Sequence, residues 1–405
     1  MKPLAPLHPA PLPPFRQVDL MNTESLLTAE ERALRDRVRA WVDTALMPNI
    51  SQWYFDGVFP HHLVGEMAAL GLLGPTIPTT YGGPGLSGVA YGLIMQELER
   101  CDSGIRSFAS VQSSLVMYPI WAFGSEAQKQ TWLPKMARGE VIGCFGLTEP
   151  EFGSNPAGMI VNADETADGW TLHGTKKWLS NGPSAHVAVV WAKTNGSEDP
   201  KSIRGFLVPT NLPGVTVHRV DDKHSLRVSE SSAMTFDQVK LPKDALLPGS
   251  GGVKSPLMCL TQARYGIVWG ALGAALACFD EALQYALQRE MFGKLIAGTQ
   301  LQQERLAEMA TKVTNGQLLA LQLGRLKDQD AMTPVQVSLA KRHNVDMACD
   351  VAREARRLLG ANGILGGWHA MRHMANLESV YTYEGTHDMH TLIVGQELTG
   401  IPAYR

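Results

Sequence analysis

Several features are missing from this 405-residue chain, and each absence narrows what it does. Its five cysteines, Cys101, Cys144, Cys259, Cys278 and Cys349, are odd in number and scattered, with no CxxC pair. That argues against a disulfide framework and a zinc site, and suits a reducing cytosol. Neither sign of charge dominates: 36 Lys and Arg face 39 Asp and Glu, a net charge of −3. There is thus no electrostatic reason to expect nucleic acid as a partner. No apolar run reads as long enough to span a bilayer. The GxGxxG spacing of a dinucleotide-binding βαβ unit is absent, as is any repeat of about 20–50 residues. The first 20 residues carry six prolines and, before Gln17, only Lys2 and Arg16 as basic residues. This fits neither a secretory signal nor an Arg-rich transit peptide. It reads as a flexible Pro-rich arm over residues 1–25.

What remains is the composition of a globular protein with sizeable cores, 44% hydrophobic and 19% charged. Residues 26–142 read as helical. Thr28-Ala-Glu-Glu31 is a capping box followed by Leu34, Val38 and Trp41 at helical spacing. Further helices are expected over 59–73, 89–98, 110–123 and 126–137. Over 143–253 the pattern changes to short β-branched and aromatic runs punctuated by Gly, Pro, Asn and Asp, predicting an antiparallel sheet, barrel or sandwich. From 254 to 405 the helical period returns in segments 257–288, 300–328 and 334–360, which suit a four-helix bundle. The fold class is therefore α+β, a β domain inserted between two helical ones.

Five segments combine residues suited to ligand chemistry. Phe145-Gly-Leu-Thr-Glu-Pro-Glu-Phe-Gly-Ser154 opens the β domain with hydroxyls (Thr148, Ser154) and glycine amides on one irregular loop. Trp178-Leu-Ser-Asn181 adds an indole and a hydroxyl at a strand end. A flat heteroaromatic ligand needs such an edge and face; equally, Trp178 is core and its polar neighbours form turns. Arg289-Glu-Met-Phe-Gly293, with Gln300, offers a phosphate-pairing guanidinium or a solvated helix end. Leu359-Gly-Ala-Asn-Gly363 is a helix C-cap or a loop that lets backbone approach a ligand. In Tyr383-Glu-Gly-Thr-His-Asp388, Glu384 beside Gly385 reads as a base at a loop-to-helix junction, or as a cap and dipole partner.

In order and spacing, these motifs resemble the acyl-CoA dehydrogenase family over residues 25–405. Within that family they are most similar to the branch that oxidises glutaryl-CoA. The resemblance rests there on the segments beginning at Glu97, Ser110, Ala263 and Gln322, and on Thr382 to Asp388. It implies a homotetramer holding one FAD per subunit, an acyl-CoA substrate and an electron-transfer flavoprotein as acceptor. It further implies that Phe145, Leu147, Thr148, Gly153, Ser154, Trp178 and Ser180 line the flavin, Ser154 also touching the thioester. Arg289, Phe292 and Gln300 contact the FAD of a neighbouring subunit. Arg357, Leu359, Gly360, Ala361, Thr386, Asp388 and Tyr404 complete the cofactor site. The stretch from Leu257 to Arg264 holds the CoA-thioester tail.

By the same resemblance Glu384 is the catalytic base that removes the α-proton while the β-hydrogen leaves as hydride. Tyr383 and Gly385 lie beside the substrate. Arg106, helped by Ser107 and oriented by Glu99, receives a terminal carboxylate of the acyl chain, which is then lost as CO2 to leave crotonyl-CoA. Taken alone, Arg106 also fits a helix-surface pair with Asp102 at i−4. Departures from the family pattern fall at Asn155, Ala361, Ile105, Thr261-Gln262 and the run from His224 to Ser232. The motifs also suit a non-decarboxylating short-chain acyl-CoA dehydrogenase or an acyl-CoA oxidase; the retained Glu384 argues against a scaffold without turnover. A cytoplasmic location is expected.

Overall fold

A computed structural model describes residues 14–403. The N-terminal part holds α1 (Ala29–Trp41), α2 (Ile50–Asp56), α3 (Val64–Ala69), α4 (Gly88–Cys101), α5 (Ser103–Ser110), α6 (Tyr118–Phe123) and α7 (Glu126–Ala137). The capping box at Thr28 forms as expected, with hydroxyl and Glu31 carboxylate bonded reciprocally to backbone N–H groups. The helix expected over 59–73 is cut short. A 3-10 turn at His61–Leu63 leads into the six-residue α3, and Gly71 and Gly74 adopt left-handed φ. From residue 103 to 123 the chain forms one rod, α5 running through a π-helical stretch (Val111–Met117) into α6.

The middle part holds β1 (Gly143–Gly146), β2 (Asn162–Glu165), β3 (Gly169–Ser180), β4 (Val187–Thr194), β5 (Arg204–Pro209), β6 (Val215–Arg219) and β7 (Ser231–Pro242). They form one sheet in the order β1-β4-β2-β3-β7-β6, with β5 paired to β4. The sheet is mixed rather than purely antiparallel: β4 runs parallel to both β1 and β2. The physical reason lies in the connections. β1 and β4 are far enough apart in sequence for the chain to return in the same direction, whereas the short turn between Glu165 and Gly169 makes β2 and β3 an antiparallel hairpin.

The C-terminal part is α8 (Lys254–Ala286), a small hairpin of β8 (Glu290–Met291) and β9 (Lys294–Leu295), α9 (Gln300–Asp328), α10 (Pro334–Leu358), α11 (Ala370–Thr382) and α12 (His387–Thr399). Contrary to the hydropathy reading of the sequence, α8 is long and apolar enough to cross a membrane. Almost all of its apolar stretch is buried inside the protein, so it is apolar all round because it is the central core helix.

The arm expected to be free is partly docked. Arg16 N–H donates to Asp280 Oδ1 (3.1 Å), and the guanidinium groups of Arg39 and Arg100 lie over the Phe15 ring. Residues 1–13 of that arm fall outside the described residues.

Three apolar cores organise these parts: one among the helices, one inside the sheet, and one where the sheet meets the helices. The 103–123 rod and α8 both pass from the helical core into the junction core: Ile105 and Tyr265 lie in the former, Val116 and Ala263 in the latter. The charged residues described next sit where these two elements cross.

Candidate active site

The loop between α11 and α12 is the centre of the site. α11 ends as Tyr383 leaves helical geometry, and α12 is capped by Thr386, whose hydroxyl accepts from Met389 N–H at 3.1 Å. Thr386, not Glu384, is therefore the helix cap, and Asp388 occupies the first turn. Glu384 has φ +54° and Gly385 φ +90°. A non-glycine residue in that region is strained unless its surroundings enforce it. Gly385 is doubly constrained, since a Cβ there would lie 2.9 Å from His390 Nε2 and 3.1 Å from an Arg264 nitrogen.

The turn presents the Glu384 carboxylate with one buried oxygen, Oε2, lacking any hydrogen-bond partner. Burial pushes its pKa up, opposed by the nearby cations Arg106, Lys341 and Arg264. A carboxylate that is buried, unpartnered and raised in pKa is suited to take a proton from a ligand.

Arg106 is wholly buried on α5. Its Nε donates to Glu99 Oε2 at 2.6 Å, and Ser103 holds the other Glu99 oxygen at 2.7 Å. One terminal nitrogen of Arg106 donates to the Tyr383 hydroxyl, while the other, NH1, is buried with no partner. The surface pair with Asp102 does not form. Asp102 caps α5 through Gly104 N–H and binds Asn376 and Arg372 of α11 instead. Ser107 lies buried one position along. Space for the Glu99–Arg106 pair comes from Gly270 of α8, where a Cβ would lie 1.9 Å from Glu99 Oε2.

Two residues of this centre escaped the sequence reading. Lys341, on α10, is almost fully buried and donates to Tyr383 O and to Gly385 O (2.7 Å). Its signal was present: Val337, Ala340, Lys341, Asn344 and Ala348 follow helical spacing and form the buried face of α10. His390 of α12 is fully buried with neither ring nitrogen partnered, and burial with Lys341 and Arg264 nearby pushes it down to about 2, so it is neutral. Arg264 is found under the loop, its Nε donating to Glu384 O at 2.6 Å. Leu257, two turns earlier on α8, is exposed.

The middle-domain residues expected to line a flavin gather at the edge that faces α5. Lys177 N–H donates to Thr148 O (2.8 Å), joining the 145–154 loop to the end of β3. Asn181 donates to Phe108 O of α5 at 3.3 Å. Trp178 is 58% exposed with φ +64°, at a β-bulge between Lys177 and Leu179. It is therefore not core. The bulge turns a large aromatic face outward, beside half-buried Phe145, Thr148 and Ser180, buried Leu147 and exposed Gly153 and Ser154. An apolar ring face flanked by hydroxyls and open glycine backbone fits a flat heteroaromatic cofactor such as FAD.

Other expected contacts are not gathered here. Arg289 and Phe292 on the β8–β9 hairpin and Gln300 at the start of α9 are exposed, Phe292 by 98%. No hydrogen bond or ion pair among the described residues joins them to Glu384, Tyr383 or Arg106. Arg357 pairs with Glu354 at 2.5 Å. Gly360, at φ +60°, ends α10 after buried Leu359, and Ala361 follows it exposed. Tyr404 lies outside the described residues.

The fold agrees with comparisons to known proteins. Residues 28–140, 144–239 and 250–399 match the N-terminal, middle and C-terminal domain models of acyl-CoA dehydrogenases. A crystal structure of glutaryl-CoA dehydrogenase from Mycobacterium smegmatis is 53% identical, with TM-score 0.93, covering 96% of this chain and 99% of that one. Another from the same organism, in complex with FADH2, is 48% identical with TM-score 0.93, covering 95% and 98%. The human mitochondrial short-chain specific acyl-CoA dehydrogenase is 33% identical over 95% of this chain and 93% of its own length. The chain belongs to the acyl-CoA dehydrogenase family, FAD-dependent oxidoreductases that act on acyl-CoA.

Proposed function

We propose that this protein oxidises glutaryl-CoA and releases its terminal carboxylate as CO2, leaving crotonyl-CoA. The observation that carries the reading is the free nitrogen of Arg106. With Nε on Glu99 and one terminal nitrogen on Tyr383, the unpartnered NH1 remains buried. A buried guanidinium nitrogen without an acceptor is costly. A carboxylate at the end of the acyl chain supplies that acceptor. Charge balance points the same way. Arg106, Arg264 and Lys341 surround Glu384, and among the described residues the only other carboxylate bound to them is Glu99. With Lys341 ionised, the three cations outnumber the two carboxylates by one, and a substrate carboxylate would restore the balance. The resemblance in sequence and structure to glutaryl-CoA dehydrogenases supports the same substrate.

FAD, when bound, supplies the acceptor for the β-hydrogen; Trp178, Thr148, Ser154 and Ser180 are the residues suited to hold its ring. The remaining chemistry belongs to the chain. Glu384 Oε2, free of partners, takes the α-proton. No acceptor among the described residues takes the Glu384 backbone N–H, which leaves it to bind the thioester oxygen as negative charge develops there. Arg106 and Tyr383 fix the far carboxylate and thereby orient the chain. Because Glu384 acts as the anion and burial raises its pKa, the rate should fall as pH drops through that raised value.

The exposed Arg289, Phe292 and Gln300 support a homotetramer in which this surface completes a neighbour's FAD site. An electron-transfer flavoprotein is the acceptor we infer from the family. The five free thiols support a reducing compartment such as the cytoplasm.

The test is anaerobic mixing of the flavin-loaded protein with glutaryl-, butyryl- and isobutyryl-CoA, following flavin bleaching and CO2. We expect fastest bleaching with glutaryl-CoA, accompanied by CO2. Equal bleaching by butyryl-CoA with no CO2 from glutaryl-CoA would identify a non-decarboxylating short-chain dehydrogenase instead.

A further inference from the structure

Three consecutive carbonyls of the base loop each accept a hydrogen bond from a buried cation. Lys341 Nζ serves Tyr383 O and Gly385 O, and Arg264 Nε serves Glu384 O between them. Two successive residues of this loop, Glu384 and Gly385, have left-handed φ. Glu384, the non-glycine of the two, needs external bonds to hold that conformation, and two of the three bonds to the loop come from one ammonium on α10. Lys341 has no carboxylate among its hydrogen-bond partners, so its donors are directed to the loop itself.

We propose that Lys341 is the positioning residue of the catalytic base: its ammonium fixes the left-handed turn that aims Glu384 at the substrate and stabilises the Glu384 carboxylate electrostatically. The proposal rests on the reading of Glu384 as the base. The groups facing Glu384 are Tyr91 from α4, Arg106 from α5, with Glu99 behind it, Arg264 from α8, Lys341 from α10, His390 from α12 and Tyr383 within the loop. Tyr91 and Tyr383 are pushed up by burial and His390 is neutral, so the cations Arg106, Arg264 and Lys341 set the electrostatics. Lys341 alone both carries charge and bonds the carbonyls on either side of Glu384. Burial pushes the Lys341 ammonium down and the Glu384 carboxyl up, and each favours the ionised form of the other. Losing the ammonium therefore moves the Glu384 titration upward.

The experiment compares wild type, Lys341→Met, Lys341→Gln and Lys341→Arg, with Glu384→Gln as the control on the base. Each is loaded with FAD, and flavin reduction by glutaryl-CoA is followed anaerobically across pH. Both neutral variants should lower kcat per bound flavin by about 10–100-fold, as expected for a misplaced base. Both should also move the acid limb of the profile upward by about one unit or more. Lys341→Arg should retain the wild-type limb, with kcat lowered and KM unchanged. A purely structural lysine would change flavin content or thermal stability while leaving rate per flavin and pH profile in place, and that result overturns the proposal. Should neither neutral variant load flavin, Lys341→Arg decides: a lowered kcat at unchanged KM supports the proposal, and wild-type kcat overturns it. Glu384→Gln separates the two readings. If it still bleaches with glutaryl-CoA at near wild-type rate, the base assignment itself fails, whatever the lysine variants do.

Discussion

Two buried ion pairs in this molecule differ in what they leave over. In the middle domain, Lys176 donates to Glu149 Oε1 (2.8 Å) and to Leu147 O (2.9 Å). Glu149 also accepts from the N–H groups of Ile160 (2.7 Å) and Val161 (2.9 Å). Neither side chain has an unpartnered polar atom, and the pair ties the 145–154 loop to β3 and to the start of β2. Where α5, α8 and the α11–α12 loop meet, Arg106 and Glu99 form an equally buried pair, yet Arg106 NH1 and the adjacent Glu384 Oε2 remain without partners. Folding rarely leaves buried charged atoms unsatisfied. The first pair is complete and fits a purely structural role; on the function proposed above, the second is incomplete because its remaining partners arrive with the substrate.

The comparison can be broken most forcefully at Glu384. In Glu384→Gln, FAD should stay bound while flavin reduction by glutaryl-CoA falls by about 10²–10⁴-fold, the contribution expected of a general base; stopped-flow absorbance measures it. The complete pair should respond differently. Lys176→Met strands a buried carboxylate, and breaking such a pair costs about 3–5 kcal/mol. Denaturant titration should show that loss, while the ratio of glutaryl-CoA to butyryl-CoA rates stays at the wild-type value. A smaller effect is expected from Gly270→Ala, whose methyl would meet Glu99 Oε2 and displace it. Overpacking of this kind costs about 1–3 kcal/mol. Because Glu99 orients Arg106, discrimination between the two thioesters should fall along with stability. A variant that lost stability but kept its selectivity would show that Glu99 does not act through Arg106.

Much of this architecture was legible in the sequence, for identifiable reasons. The capping box at Thr28, the helix at Glu126–Ala137 and α9 at Gln300–Asp328 are local signals, and they form where the pattern puts them. The parallel pairing of β4 with β1 and β2 depends on chain crossings that no local pattern encodes. The burial of α8 also had to come from the fold: its apolar length is the same whether lipid or protein surrounds it. Among site residues, Glu384, Arg106 and Tyr383 stood in recognisable motifs. Lys341 did not, because an isolated lysine in a helix reads as solvated unless its place on the buried stripe is weighed above its charge. Arg264 was noticed, but as part of a thioester-binding stretch rather than as the donor to Glu384 O. Gly270 gave no sequence signal, since its role is the room it leaves for Glu99.

The central claim is that the unpartnered nitrogen of Arg106 belongs to a carboxylate at the end of the substrate. Measuring kcat/KM of Arg106→Ala for glutaryl-CoA and butyryl-CoA side by side tests it most directly. A charged hydrogen bond contributes about 1.5–3 kcal/mol, so the preference for glutaryl-CoA should fall by about 10–150-fold relative to wild type. An equal loss with both thioesters would contradict the claim and reduce Arg106 to a structural partner of Glu99.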